Sequence, residues 1–223
     1  MISELPVAAQ TTPDFDMLAP LYRWMEWTTF GPLLGLCRRT FLNRMRDSRR
    51  ALIIGDGDGR FTARLLRENL TLRADIVDAS PAMLRALLRR AGNNAPRVSS
   101  SCIDARQWHS SNASYDLIAS HFFLDCLTTE QVQSLAIRVR EASSPGALWA
   151  ISEFAVPRNW FGRLLAGPLV RGLYLAFGWL TGLQIRQLPN HALALAEAGF
   201  RLRTRRTWIG GLLISELWEL RCE

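Results

Sequence analysis

A chain of 223 residues, 48% apolar and 21% charged, has room for one α/β domain with a real core plus an appendage, and is too ordinary in charge to be disordered. All 27 basic residues are arginine against 20 acids, so the net charge of +7 is either a solvated surface or an attraction to something anionic, lipid or nucleic acid. Cys37, Cys102, Cys126 and Cys222 are scattered with no C-x-x-C pair, which argues against structural zinc and a disulfide framework, and no run of 18 uncharged apolar residues is there to span a membrane unaided.

The first residues, Met1 to Pro6, lack the basic-then-apolar order of a signal peptide, and with the cysteine pattern this gives a cytoplasmic expectation. Residues 1–14 are polar and read as loose. From Asp16 to Asp47 the pattern is helical and breaks at Gly31-Pro32. Its first half is aromatic, with Tyr22, Trp24, Trp27 and Phe30. Its second half puts Leu33, Leu34, Cys37, Phe41, Leu42 and Met45 near one face, with Arg38, Arg39, Arg44 and Arg46 largely off it and Arg49 and Arg50 extending the basic run. Two readings stand: a helix packed on a sheet edge, or a lid over a ligand site with its basic side outward.

A short continuous apolar run, Ala51 to Ile54, then enters Gly55-Asp56-Gly57-Asp58-Gly59, and Phe61 to Leu66 follow with helical spacing. That is the first strand–turn–helix unit of a doubly wound sheet, and the glycines let the backbone turn sharply with no Cβ in a ligand's way. The dinucleotide fingerprint fails because its third glycine would fall on Arg60, and a Walker loop fails because the chain has no lysine. The second strand, Ala74 to Asp78, ends in a carboxylate able to accept both hydroxyls of an adenosine ribose. A glycine cluster alone is often only a tight turn; with Asp78 at this distance, nucleoside-cofactor binding is the better reading.

Ser80-Pro81 reads as a helix start, and that helix runs to about Ala91 before Gly92 to Pro96 stops it. Strand three is read over 97–103, followed by Asp104-Ala105, and strand four over Tyr115–Ser120, running into His121-Phe-Phe-Leu-Asp-Cys126. Thr128 and Gln131 open a helix of about fifteen residues in a capping arrangement, and Pro145-Gly146 turns the chain into strand five, Ala147–Ser152. Asn190 caps a short helix stopped by Gly199, and residues 200–208 and 212–221 read as strands across Gly210-Gly211. Between them, 157–189 is long for a connection and contains no acid. Val170, Leu173, Tyr174, Phe177 and Leu180 share a helical stripe there, with Arg163 and Arg171 nearby, which fits core packing, a greasy pocket or an interfacial helix.

Leu52 to Phe61, and Val77 to Met83 with its D-x-S-x-x-M form, resemble the first two motifs of class I S-adenosylmethionine-dependent methyltransferases. The similarity covers about residues 50–223, and Phe15 to Tyr22 is similar to the lead-in of the branch that methylates quinones and phospholipids. The resemblance implies a Rossmann-like doubly wound sheet of about seven strands with a reversed last strand. It also implies an N-terminal helical cap over 1–50, a cofactor domain over 51–223 with 157–189 inserted, and S-adenosylmethionine as cofactor. The cofactor positions it implies are Gly55, Asp56, Gly57, Asp58, Gly59, Asp78, Ala79, Ser80, Met83, Asp104, Ala105, Ser120 and His121, with Asp104 on the adenine amino group and no metal. One departure is Ile53, where the family often has an acid for the methionine end; Asp56 or Asp58 then stand as substitutes.

Methyl transfer is an in-line displacement at an activated sulfonium, so the protein mainly aligns the reactants and excludes water; a base is needed only for a hydroxyl or protonated amine. His121, directly off strand four, is the first base candidate, against a merely structural histidine. Asp125 is the second, against a helix cap, and Tyr22 could cover the cofactor, bind the acceptor or simply pack. The N/D-P-P-Y/W/F tetrad of enzymes that methylate nucleobase amines is replaced by Ser120-His-Phe-Phe123, which weakens a DNA-base substrate. The leading reading is a methyltransferase for a small hydrophobic acceptor, quinone-precursor-like or lipid-like. The alternatives are a non-catalytic cofactor-binding module or partner subunit, and a nucleic-acid methyltransferase. The arginines of the front helices also suggest a reversible peripheral contact with anionic membrane.

Overall fold

The computed structural model describes residues 32–110, 114–157, 167, 172 and 188–221. Its sheet strands are β1 (Arg50–Ile54), β2 (Arg73–Asp78), β3 (Val98–Cys102), β4 (Tyr115–His121), β5 (Ser143–Phe154), β6 (Phe200–Trp208) and β7 (Leu213–Leu220). They form one seven-stranded sheet in the order β3-β2-β1-β4-β5-β7-β6. β1 to β5 are parallel, while β7 runs antiparallel between β5 and β6, the reversed last strand expected above. The order reverses between β1 and β4, and that switch point is where such a sheet opens a crevice for a ligand.

The helices are α1 (Leu33–Arg39), α2 (Arg60–Glu68), α3 (Pro81–Ala91), α4 (Thr129–Glu141) and α5 (His191–Glu197). They cover both faces of the sheet, which is why β1 is apolar at consecutive positions. Ala51 and Ile53 pack with Phe61, Leu65, Leu66, Leu84 and Leu87 of α2 and α3, whereas Leu52 and Ile54 pack with Val132, Leu135 and Val139 of α4 and with Trp149. The helix starts follow local chemistry. Ser80 Oγ accepts from Met83 N ahead of Pro81, Asn190 Oδ1 accepts from Leu193 N, and Thr128 with Gln131 forms a complete capping box.

Three boundaries differ from the sequence reading. β5 starts at Ser143, before Pro145-Gly146; its register jumps from Tyr115 opposite Ser143 to Leu117 opposite Leu148, so the proline sits in a bulge where its missing N–H interrupts no ladder. α4 has 13 residues. The front segment is not one helical face: α1 ends at Arg39, where Thr40 N donates to Cys37 O and Thr40 Oγ1 to Leu36 O, and Leu42–Arg44 form a separate single turn. Leu34 and Cys37 therefore pack with Phe122, Leu212 and Leu213, while Phe41, Leu42 and Met45 join the α2–α3 core. α1 lies against β5 and β7, which are interior strands, not on a sheet edge. The aromatic stretch with Tyr22 and nearly all of the acid-free segment 157–189 lie outside the described residues.

One buried charge cluster sits on β7. Glu216, 0% exposed, accepts from Arg205 Nε at 2.6 Å and Trp218 Nε1 at 2.8 Å and lies 3.1 Å from His191 Nε2. Burial alone would raise its pKa, but hydrogen bonds from His191 and Trp218 and the charges of His191 and Arg205 outweigh burial and hold it below 4.5. A depressed folded pKa contributes stability above the unfolded value, and that contribution is lost as pH falls below it. Glu216→Ala, which strands the buried Trp218 indole and removes the partner of His191 and Arg205, is expected to cost about 3 kcal/mol in urea unfolding at neutral pH, with the gap to wild type narrowing in acid. An unchanged gap across that range would exclude this linkage.

Candidate functional site

The crevice is lined by the carboxyl ends of β1, β2, β3, β4 and β5. Gly55 leaves β1 with φ +67° and donates its N–H to Val77 O at 2.9 Å, which sets it beside Asp78 at the tip of β2. A Cβ on Gly55 would lie 2.3 Å from Phe123 Cδ2, so the missing side chain is what lets the turn after β4 close onto the turn after β1. Gly59, with φ +79°, caps α2 without a side chain, and Leu87 of α3 packs where its Cβ would be. Over Gly57 the nearest side-chain atom is Met83 Sδ at 3.9 Å, so the middle of the turn stays open.

The acids divide by what holds them. Asp56 Oδ2 accepts from Thr62 N at 2.9 Å and Thr62 Oγ1 at 2.7 Å, supplying the cap that Gly59 cannot. Burial lifts its pKa to about 6, against the hydrogen bonds from Thr62 and the charge of Arg38. Asp58 is tied to Arg60 Nε at 3.1 Å and Arg90 NH2 at 2.8 Å, turned toward α3. Ile53, the position at which an acid is expected from the resemblance, is buried in the α2–α3 core. Asp78 is half-buried; Oδ1 accepts from Ser80 N at 2.9 Å, and Ala79 and Ser80 lead from it into α3. Asp104 follows β3, joined to the β2 tip by Ile103 N donating to Asp78 O at 3.2 Å. Burial pushes Asp104 up, but hydrogen bonds and charge from Arg106 more than offset this and leave it below the usual carboxylate range. The buried Ala105 carbonyl accepts from Arg138 NH2 at 3.1 Å.

Ser120 pairs with Ile54 across the switch point, but its buried Oγ accepts from Trp149 Nε1 at 3.0 Å and faces the α4 core. His121, 5% exposed, points to the opposite face, edge-on to Phe61 with ring centroids 4.4 Å apart. Its Nδ1 is 3.0 Å from Ser152 Oγ, which donates onward to Ser215; His121 therefore donates from Nδ1, and its buried Nε2 has no partner among the described residues. Burial, with Arg38 nearby, lowers its pKa to about 3, so the imidazole is neutral throughout the physiological range. Asp125, 9% exposed, lies in the single turn after Phe123.

Three residues of this site were not among those picked from the sequence for it, and a fourth, Glu153, was legible there only as the carboxyl end of strand five. Thr62 anchors Asp56. Arg38, on α1, reaches over the ring of Phe122 with its guanidinium carbon 5.3 Å from the centroid. Phe123 packs on Gly55. Glu153, the one acid in β5, accepts from Phe123 N at 3.2 Å and Leu124 N at 2.9 Å. Only Glu153 carried a sequence signal, as the single carboxylate closing an apolar strand.

Residues 51–146 match a family described as a methyltransferase domain. The chain is similar to that family over this stretch. Its fold is that of the class I enzymes, and the cofactor such a domain implies is S-adenosylmethionine. Similar solved structures include an O-methyltransferase family protein from Burkholderia thailandensis (17% identity over 93% of this chain and 58% of that one, TM-score 0.65). A second is a mitomycin 7-O-methyltransferase (16% identity over 96% of this chain and 62% of that one, TM-score 0.69). A third is the N-methyltransferase NodS from Bradyrhizobium japonicum WM9 in complex with S-adenosyl-L-homocysteine (16% identity over 87% of this chain and 91% of that one, TM-score 0.59). The chain thus spans 58% to 64% of the length of the first three structures it resembles. No curated protein sequence matches it. The residues expected to hold S-adenosylmethionine fit that group. The glycine turn is open over Gly57, the Asp78 carboxylate stands at the adjoining strand tip, and Asp104 follows on the next strand.

Proposed function

We propose that this chain transfers a methyl group from S-adenosylmethionine to a small hydrophobic acceptor, quinone-precursor-like or lipid-like. The observation that carries the proposal is the convergence of the open glycine turn, Asp78 and Asp104 at the ends of three adjacent strands. When bound, the cofactor supplies an activated methyl on a sulfonium; the chain's own task is to hold and orient it and keep water out. Asp78 would take the ribose hydroxyls, Asp104 the adenine amino group, and the Gly55–Gly59 backbone the methionine end. With Asp56 and Asp58 engaged, Arg38 over Phe122 offers a positive charge for the methionine carboxylate. The aromatic rings of Phe122 and Phe123 and the acid-free segment 157–189 support an apolar acceptor.

For an acceptor hydroxyl, Asp125 is the other candidate base among the described residues, since a histidine with a pKa near 3 takes up a proton poorly at neutral pH. The burial of both candidates favours one second reading, a module that binds the cofactor without catalysis. Incubation with methyl-tritiated cofactor and a panel of catechols, quinols and lipid extracts separates the two. Label in the organic phase supports transfer, and S-adenosylhomocysteine binding without label supports the module. Asp125→Asn is expected to lower turnover about 100-fold with little change in cofactor affinity, and His121→Asn to leave the pH profile without a lost step near pH 6.5. A contact with anionic lipid stays in the proposal through Arg39, Arg44, Arg46 and Arg49, which are exposed; Arg50 is paired with Asp75. Vesicle flotation at low and high salt reads it.

A further inference from the structure

The backbone at the end of β4 is strained. Phe122 has φ +56°, a left-handed conformation that a bulky aromatic residue rarely adopts, and structures hold such strain where the surroundings over-determine it. Here the turn is held from both sides. Phe122 N donates to Ser152 O at 2.6 Å, and the next two amides, Phe123 N and Leu124 N, donate to Glu153 Oε1. The result is that Phe123 packs against Gly55, on the turn assigned to the cofactor.

Glu153 is 2% exposed, and its second oxygen, Oε2, is fully shielded with no hydrogen-bond partner among the described residues. An anion with one bare oxygen in such a place is costly, and the same group as a carboxylic acid is not. The groups that face it reinforce this. Asp125 brings a second carboxylate into the same buried pocket, the Cys126 thiol is pushed well up by burial and by both acids, and the β7 residue paired with Glu153 is Ile214. Burial and the Asp125 charge drive Glu153, with its bare oxygen, toward the neutral form, against the backbone hydrogen bonds of Phe123, Leu124 and Asp125 that favour the anion.

We propose that Glu153 is a positioning residue of the methyl-transfer site: a neutral carboxylic acid that straps the strained Phe122–Leu124 turn over the cofactor's glycine turn. This rests on the methyltransferase reading above. No group is transferred in this role, and the proton stays on Glu153.

Glutamine is the isostere of the neutral acid, so Glu153→Gln and Glu153→Ala separate the possibilities. In wild-type protein at neutral pH, infrared difference spectra should contain a protonated-carboxyl C=O band that shifts when S-adenosylhomocysteine binds and is missing in Glu153→Gln. By calorimetry Glu153→Gln should bind S-adenosylhomocysteine within about 2-fold of wild type, whereas Glu153→Ala, with two amides stranded and the turn released, should bind it about 10-fold more weakly. If Glu153→Ala fails to fold, Glu153→Met, which keeps the volume and lacks the acceptor, takes its place with the same expected loss. No such band in wild type, a band indifferent to S-adenosylhomocysteine, or Gln as damaging as Ala or Met overturns the proposal. Wild-type protein that does not bind S-adenosylhomocysteine at all overturns the methyltransferase reading with it; binding with Gln and Ala indistinguishable overturns the strap alone.

Discussion

Asp78→Ala is expected to weaken S-adenosylhomocysteine binding by about 2 kcal/mol or more, roughly 30-fold, because hydrogen bonds to a charged group are worth that much when one partner is removed. The carboxylate stands at the tip of β2, half-buried, next to the glycine turn, with one oxygen already oriented by the Ser80 amide. That orientation restricts where a ribose can lie, so the loss should fall on affinity and not on fold. Asp78→Asn keeps the shape and one acceptor oxygen and should fall between wild type and alanine. Calorimetry on folded variants decides it. Unchanged affinity in a folded Asp78→Ala would remove the ribose assignment, and NADH binding in its place would point back to a dehydrogenase.

A stability effect as large as that of Glu216→Ala should come from Gly59→Ala. Two costs combine there. The residue sits at φ +79°, where an L side chain costs about 1–2 kcal/mol, and the new Cβ would lie 2.7 Å from the Leu87 Cα, a backbone atom that cannot swing aside. Overpacking of that kind typically costs about 1–3 kcal/mol, so a loss of about 3 kcal/mol is expected in urea unfolding, as a lower midpoint at unchanged slope. Gly92→Ala is the control, since its φ is +55° but nothing lies within 4 Å of the added Cβ. Only the dihedral cost should appear there. Equal losses at the two positions would mean that the close packing of α2 on α3 contributes nothing.

Much of this fold is local and was therefore readable along the chain. Ala51 to Ile54 is apolar at every position because helices cover both faces of the sheet, and Ser80 with Pro81, Asn190, and Thr128 with Gln131 start their helices by bonds that span three residues. The same holds for the Gly55–Gly59 turn and for Asp78, whose spacing from it follows from one helix and one strand. The front segment was only half readable. Its apolar residues do face inward, but the break at Thr40 sends Leu34 and Cys37 to one cluster and Phe41 to Met45 to another, and no period in the sequence marks that division.

What the amino-acid sequence determined by itself is the set of elements, the nature of the glycine turn and the acid at the tip of β2, since each depends on residues a few positions apart. What only the tertiary structure decided is how the polar groups at the strand ends are engaged. Asp58 meets Arg90 across 32 positions, and Glu153 meets the amides of Phe123 and Leu124 across 30 and 29. His121 turns into Phe61 and Ser152 because β4 pairs with β5 in that one register, and a shift of one residue would have put it on the other face. Such contacts depend on the order and register of strands that lie far apart in the chain, and these are set by the packing of the whole sheet.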